Sequence, residues 1–238
     1  MTMDLFEQAD KEEFIKSVKT GKERQKEILN NGMSLTEAFR FGYLDVARAP
    51  LRGIGKILKE GSNITRENCI KKIVLFLQRV LVFCKSQSEF DDKHRELCEE
   101  ISNYYADEGY SVFTVGKAQK WINMGLKYAC IYNNEEDRLC NIIGYCHVPI
   151  DRYMAYHIDR ELNVTLPEYQ GFKKPRAGWA DRKSCDYAWS KIESYDEYLT
   201  CQKRIREVLD KQRSGKCPLE WEFQVWINEK RKDKRISS

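Results

Sequence analysis

Apolar residues recur at spacings of three and four along most of this chain, separated by short polar stretches, and that period marks amphipathic helices. Residues Lys11 to Asn30 read as a polar amphipathic helix. "SLTE", Ser34 to Glu37, has the S-x-x-E form of a capping box and should open a helix that carries Ala38 to Ala47. "NITRE" precedes a long helix from about Glu67 to Lys85, and another runs from about Phe90 to Tyr105, before the turn "ADEGYSV". Lys117 to Tyr132 forms the next helix. After the polar "NNEEDR" and the short apolar "LCNIIGYC", a helix spans Asp151 to Leu162 and stops before "NVTLPEYQGFKKPRAGW", a stretch rich in turn residues. "YAWSKIESYDEYLTCQKRIREVLDKQ" supplies one or two more helices, with a break around Glu193–Ser194. "CPLEWEFQVWINEKR" closes the chain with a proline-started helix. With no repeat and no strand pair in the pattern, the expected class is all-α.

Composition narrows the picture. At 238 residues, 42% hydrophobic and 33% charged, the chain has the make-up of a globular protein with one large core. Its longest apolar run, "IVLFLQRVLVFC" from Ile73 to Cys84, is broken by Gln78 and Arg79 and is too short to span a bilayer, so it reads as a buried helix. The start, "MTMDLFEQADKEEF", is acidic where a signal peptide is basic and then apolar, which points to a cytoplasmic protein. Nine cysteines, at residues 69, 84, 98, 130, 140, 146, 185, 201 and 217, include no C-x-x-C pair. Most have apolar neighbours, as reduced core cysteines do, and no metal or other cofactor is expected.

The net charge of +4 rests on 41 basic and 37 acidic residues, a balance that permits binding to nucleic acid through a local patch. "LRGIGKILK" (Leu51 to Lys59), "FKKPRAGWADRK" (Phe172 to Lys183) and the basic tail "EKRKDKR" (Glu229 to Arg235) could form such patches, or solvated faces and loops.

Candidate chemistry lies in two helix starts. On a helical wheel of "GKAQKWINMGLKYAC", which begins at Gly116, Ala118, Trp121, Ile122, Met124, Gly125, Leu126, Tyr128 and Ala129 cover one broad arc. Gln119, Lys120, Asn123 and Lys127 cover the opposite arc, expected to face solvent or a polar partner. Lys117 falls on the buried arc in the first turn, where desolvation and the positive end of the helix dipole both favour the neutral amine that a nucleophile needs. In "HVPIDRYMAYHIDREL", Asp151 stands at a helix N-terminus, where a carboxylate can cap the backbone and also stay ionised in a fixed direction. Such an anion can stabilise an oxocarbenium-like sugar or help activate a nucleophile.

Together "TVGKAQKWINMGLKYA" and "HVPIDRYMAYHIDREL" resemble the helix-hairpin-helix DNA glycosylases, with spacing similar to the archaeal 8-oxoguanine branch. In that family a hairpin ending in glycine leads into a helix carrying the lysine of the bifunctional members, and a later proline-containing loop carries the aspartate. Val115–Gly116 looks like the hairpin's end, and "VPID" ends in the matching Asp151, 34 positions after Lys117. Lys117 is the best match for the lysine; a slip of the match keeps Lys120 in play. The resemblance covers about 50 residues, and "SVFTVG" lacks the proline and first glycine of the usual hairpin. It implies a two-lobed helical bundle (one domain over 1–238, hairpin and lysine helix at 105–132, aspartate helix at 147–163, basic tail at 229–238) with a DNA-binding cleft between the lobes. It further implies a monomer that acts on double-stranded DNA, away from membranes, and flips a modified base into a pocket. Hairpin amides at Val115 and Gly116, with Gln119, Lys127, His147 and Arg152, would hold the DNA; Trp121, Tyr153, Trp179 and Trp189 would line the base pocket. The default substrate is an oxidised purine such as 8-oxoguanine, or else a modified base of foreign DNA.

Two other readings remain in view. "RYMAYH" has Arg152 and His157 in the R-x4-H spacing of the metal-independent HEPN ribonucleases, although Tyr153 stands where that family is usually polar. A helical DNA-binding module without chemistry would need only the hairpin.

Overall fold

A computed structural model describes residues 6–18, 20–47, 62–110, 113–133, 137–164, 166, 189–212 and 215–237. Among these the chain is all-helical, with no strand. The helices are α1 (Gln8–Ile15), α2 (Lys22–Asn31), α3 (Leu35–Ala47), α4 (Ser62–Arg79), α5 (Gln87–Asp107), α6 (Val115–Tyr132), α7 (Arg152–Leu162), α8 (Tyr195–Lys211) and α9 (Pro218–Ser237). Short 3-10 turns lie at Asp137–Asn141, Ile143–Tyr145 and Trp189–Lys191. No helix among the described residues is long and apolar enough to cross a membrane.

Local chemistry explains most boundaries. Ser34 caps α3 by accepting the Glu37 amide at 3.3 Å, while Glu37 turns its own carboxylate to Arg24 Nε at 2.8 Å, so only half of the capping box forms. Ser86 and Ser194 cap α5 and α8 in the same way, through the amides of Glu89 and Glu197. Pro218 starts α9, and the Glu220 carboxylate accepts the amide of Cys217 at 2.7 Å. Two expectations need correction. The single helix over Lys11 to Asn30 is two, because the chain ends α1 at Ile15 and leaves Gly21 extended as the N-cap of α2. The apolar run of residues 73–84 is not wholly buried: α4 stops at Arg79, and Leu75 and Phe83 are exposed.

α6 is the axis of the core. All its residues but Cys130 are buried, and α3 crosses it so closely that Gly42 stands against the backbone of Trp121 and Gly125. A Cβ on Gly42 would lie 2.7 Å from the Gly125 nitrogen, and one on Gly125 would meet the Phe39 ring at 2.1 Å; both sites need glycine for this approach. Phe14 of α1 stacks on Tyr128 of α6 and meets Phe223 and Trp226 of α9 edge-on. α1 and α9 are also tied by Gln224 and Arg231, both of which donate to buried Asp10. The tail at 229–235 continues the helix of α9.

The polar arc of α6 does not face solvent. Gln119, Lys120, Asn123 and Lys127 are all buried, because α5, α8 and α9 bring polar partners against that side. Lys127 donates to Glu222 of α9 at 2.8 Å inside the aromatic cluster, with Phe14 4.6 Å from its amine. Gly109, with φ +88°, follows Glu108 at the C-terminal end of α5, and Thr114 is the N-cap of α6.

Candidate functional site

The N-terminal turn of α6 and the start of α7 meet. Asp151 is the N-cap of α7: its Oδ1 accepts the Met154 amide at 2.8 Å, and its Oδ2 accepts from Lys120 Nζ at 2.7 Å. Lys120 is buried, whereas 28% of the Asp151 side chain remains exposed, so the pair can be reached from the aspartate side. Burial alone would push the Asp151 carboxyl up. The charge and hydrogen bond of Lys120, with the amides of Met154 and Tyr153, outweigh it and hold the group below the ordinary aspartate value.

The two lysines divide between them what the sequence asked of one. Lys117 is buried, and desolvation lowers its pKa as expected. Lys120, on the arc expected to meet solvent, is the lysine that pairs with Asp151. The geometry brings Lys120 and Asp151 together within one hydrogen bond.

Several expected DNA or base contacts have other work in this structure. Trp121 is buried, and its Nε1–H donates to the Phe39 carbonyl at 2.7 Å, so it is part of the core. Lys127 and Gln119 are interior for the reasons above. The Gly116 amide donates to the Ile192 carbonyl at 2.8 Å and is not offered to a phosphate. A Cβ on Gly116 would lie 2.0 Å from the Trp189 carbonyl oxygen, so the 189–192 segment packs directly on this glycine. Val115 and Trp189 are themselves buried. Tyr153 is half-buried against the His157 ring. Arg152 alone of these residues is exposed, in the first turn of α7 beside Asp151. Trp179, Leu51 to Lys59 and Phe172 to Lys183 lie outside the described residues. For the ribonuclease reading, His157 is 2% exposed with Nδ1 held by Glu161 at 2.6 Å, so Arg152 and His157 are not presented together at a surface.

His147 belongs to a buried polar chain that sequence reading missed. Its Nε2 lies 2.8 Å from Asp91 Oδ1, and its Nδ1 lies 2.9 Å from the Tyr198 hydroxyl. Tyr198 accepts from Asn123 Nδ2 at 2.8 Å, Asn123 Oδ1 lies 2.9 Å from His94 Nε2, and His94 Nδ1 is 2.7 Å from the Tyr195 hydroxyl. With each histidine neutral and its proton on Nε2, His147 donates to Asp91 and His94 to Asn123, Tyr198 donates to His147 Nδ1, and the single Tyr195 hydroxyl proton lies between His94 Nδ1 and the Asp91 carbonyl at 3.1 Å. Burial pushes both histidines below their ordinary value, against the opposing pull of Asp91 on His147. The sign follows from linkage: the unfolded chain binds protons that the folded chain refuses, so stability is full above pH ~6.5 and falls below it. Urea unfolding at pH 7 and pH 5 should therefore differ by up to about 2 kcal/mol for each of the two histidines, with the acid side weaker. Stability that is flat over this range would mean that neither imidazole is held neutral.

A groove of about 1020 Å³ opens on this chain at Asp91, between α5, α8 and the start of α9. A second, of about 590 Å³, lies between the end of α7 and α8. Neither is lined by Lys120 or Asp151. In the floor of the larger one Asp91 accepts from Gln87, His147 and Arg206 Nη2, while Arg206 Nη1 is buried with no hydrogen-bond partner among the described residues. The candidate chemistry rests on the ion pair, which neither groove includes. Among the described residues no three His, Cys, Asp or Glu side chains are placed to hold a metal ion. Comparison of the chain with family models, curated proteins and solved structures finds no match.

Proposed function

We propose that this chain is a DNA glycosylase that flips and excises a modified base, with Lys120 as nucleophile and Asp151 as its acid–base partner. The observation that carries the reading is the 2.7 Å contact between a buried lysine and a helix-capping aspartate that stays partly open to solvent. An ammonium has no lone pair for attack. Asp151 is in position to take its proton, and the freed amine then adds to the anomeric carbon as the bond to the base breaks. The proton on Asp151 passes to the departing base; a proton then moves from the lysine nitrogen to O4′ as the C1′–O4′ bond breaks, and the opened sugar remains on Lys120 as a protonated Schiff base. The exposure of Arg152, in the first turn of α7 beside Asp151, supports a phosphate contact next to the reacting centre. The substrate is an oxidised purine such as 8-oxoguanine, or a modified base of foreign DNA.

Borohydride trapping on duplex oligonucleotides tests this, each duplex carrying 8-oxoguanine, uracil, hydroxymethylcytosine or an abasic site. A covalent complex should form with the wild type and with Lys117→Gln and be lost in Lys120→Gln. Loss in Lys117→Gln alone would move the nucleophile to Lys117, whose pKa burial lowers. No complex and no base release on any duplex would overturn the reading and leave a helical binding module.

A further inference from the structure

The segment that delivers Asp151 is extended, yet it belongs to no sheet. Residues 146–151 carry neither helix nor strand, and their backbone is buried in a helical core, where unpaired amides and carbonyls are costly. Two fully buried glutamines take the place of neighbouring strands. Gln202 of α8 grips Val148 at both backbone groups: its Nε2 donates to the Val148 carbonyl at 2.8 Å, and its Oε1 accepts the Val148 amide at 3.0 Å. Gln119 of α6 grips Ile150 in the same two-point way, at 3.1 Å to the carbonyl and 3.4 Å from the amide. Alternate residues are held, as they would be along one edge of a strand.

The two clamps differ in what they fix. Gln119 immediately precedes Lys120, and Ile150 immediately precedes Asp151, so this amide joins the residues next to both members of the ion pair. Its own orientation is set in turn, because Nε2 also donates to the Gly116 carbonyl at 3.0 Å and Oε1 also accepts from Asn123 Nδ2 at 3.1 Å. Gln202 sits on a different helix and holds the chain three residues before Asp151.

We infer that Gln119 is a positioning residue that sets the separation of Lys120 and Asp151, whereas Gln202 anchors the segment without setting that separation. The inference rests on the glycosylase reading for its consequence in catalysis, but not for its consequence in the ion pair. Gln119→Met removes four hydrogen bonds and Gln202→Met two, each at nearly constant volume, and both should lower the melting temperature by several degrees, Gln119→Met by more. Only Gln119→Met should raise the Asp151 carboxyl pKa, read by carbon-detected NMR titration, because loosening Lys120 leaves burial as the larger influence. On an abasic-site duplex, where the lysine amine condenses with the C1′ aldehyde, loses water and is fixed by borohydride, Gln119→Met should slow trapping roughly 100-fold. Gln202→Met should stay near the wild-type rate. If Gln119→Met does not fold, Gln119→Asn, which keeps the amide but withdraws it by one methylene, should shift the titration and the trapping in the same directions.

The two ideas fail separately. A wild type that traps nothing, with the Asp151 titration still shifted by Gln119→Met alone, sinks the glycosylase reading and leaves the positioning role standing. An Asp151 titration that is unchanged in both Gln119 variants, or moved equally by Gln202→Met, overturns the positioning role whatever the trapping shows.

Discussion

Glu222→Gln should destabilise the protein by about 3–5 kcal/mol, because it leaves the Lys127 ammonium buried without its counter-charge. Both partners are almost wholly excluded from water, at 1% and 3% side-chain exposure. Burial lowers the Lys127 pKa, and Glu222 only partly restores it, so the pair is held together against a desolvation cost that neither charge can meet alone. The rings of Phe14, Phe223 and Trp226, 4.6, 5.6 and 6.0 Å from the amine, soften that cost without removing it. A double variant, Lys127→Met with Glu222→Leu, should recover most of the loss, since apolar residues of similar volume fit an already aromatic site. In the single variant the deficit should also shrink between about pH 7 and pH 10, because the unfolded chain still binds the proton that a depressed lysine sheds on folding. Urea midpoints at two pH values test all three statements. A loss below about 1 kcal/mol in Glu222→Gln would mean that Lys127 is not a buried cation in need of its partner.

That pair also shows where sequence reading stops. Helix starts at Leu35, Pro218 and Arg152 were legible because their causes are local: a serine three residues before a glutamate, a proline with a spare first-turn position, an aspartate behind "VPI". The buried arc of α6 was legible from periodicity. Its polar arc was misread, because a wheel reports only that Gln119, Lys120, Asn123 and Lys127 share a side. It does not report that Glu222 waits 95 residues away, Tyr198 75 residues away and Asp151 31 residues away to satisfy them. The nearest signal lay in composition: there are only three histidines, all of them buried, and across the core Asn123 donates to Tyr198 while Gln119 and Gln202 bond to backbone. Nothing in their spacing along the chain joins them. The candidate site was half legible for the same reason, since Asp151 could be read from its cap whereas its partner lysine depended on the crossing of two helices.

Asp151→Asn isolates the charge from the cap. Asparagine is as good an N-cap as aspartate and has nearly the same shape, so its oxygen can still accept the Met154 amide and α7 should keep its start. What is lost is the anion beside Lys120. The buried ammonium then stands without its counter-charge, which should cost about 1–3 kcal/mol, less than at Lys127 because the Asp151 side of the pair is open to water. The chemical consequence is larger. With no group to take the ammonium proton, and none to return it to the leaving base, trapping on a substrate duplex should slow by about 10²–10⁴-fold. Stability and chemistry separate in the double variant Lys120→Met with Asp151→Asn: removing both charges should restore most of the unfolding free energy and yield no trapped complex at all. A double variant that is stable and still trapped would place the reacting amine elsewhere. Lys117, whose amine is already lowered by burial in the same turn of α6, is then the residue that must carry it.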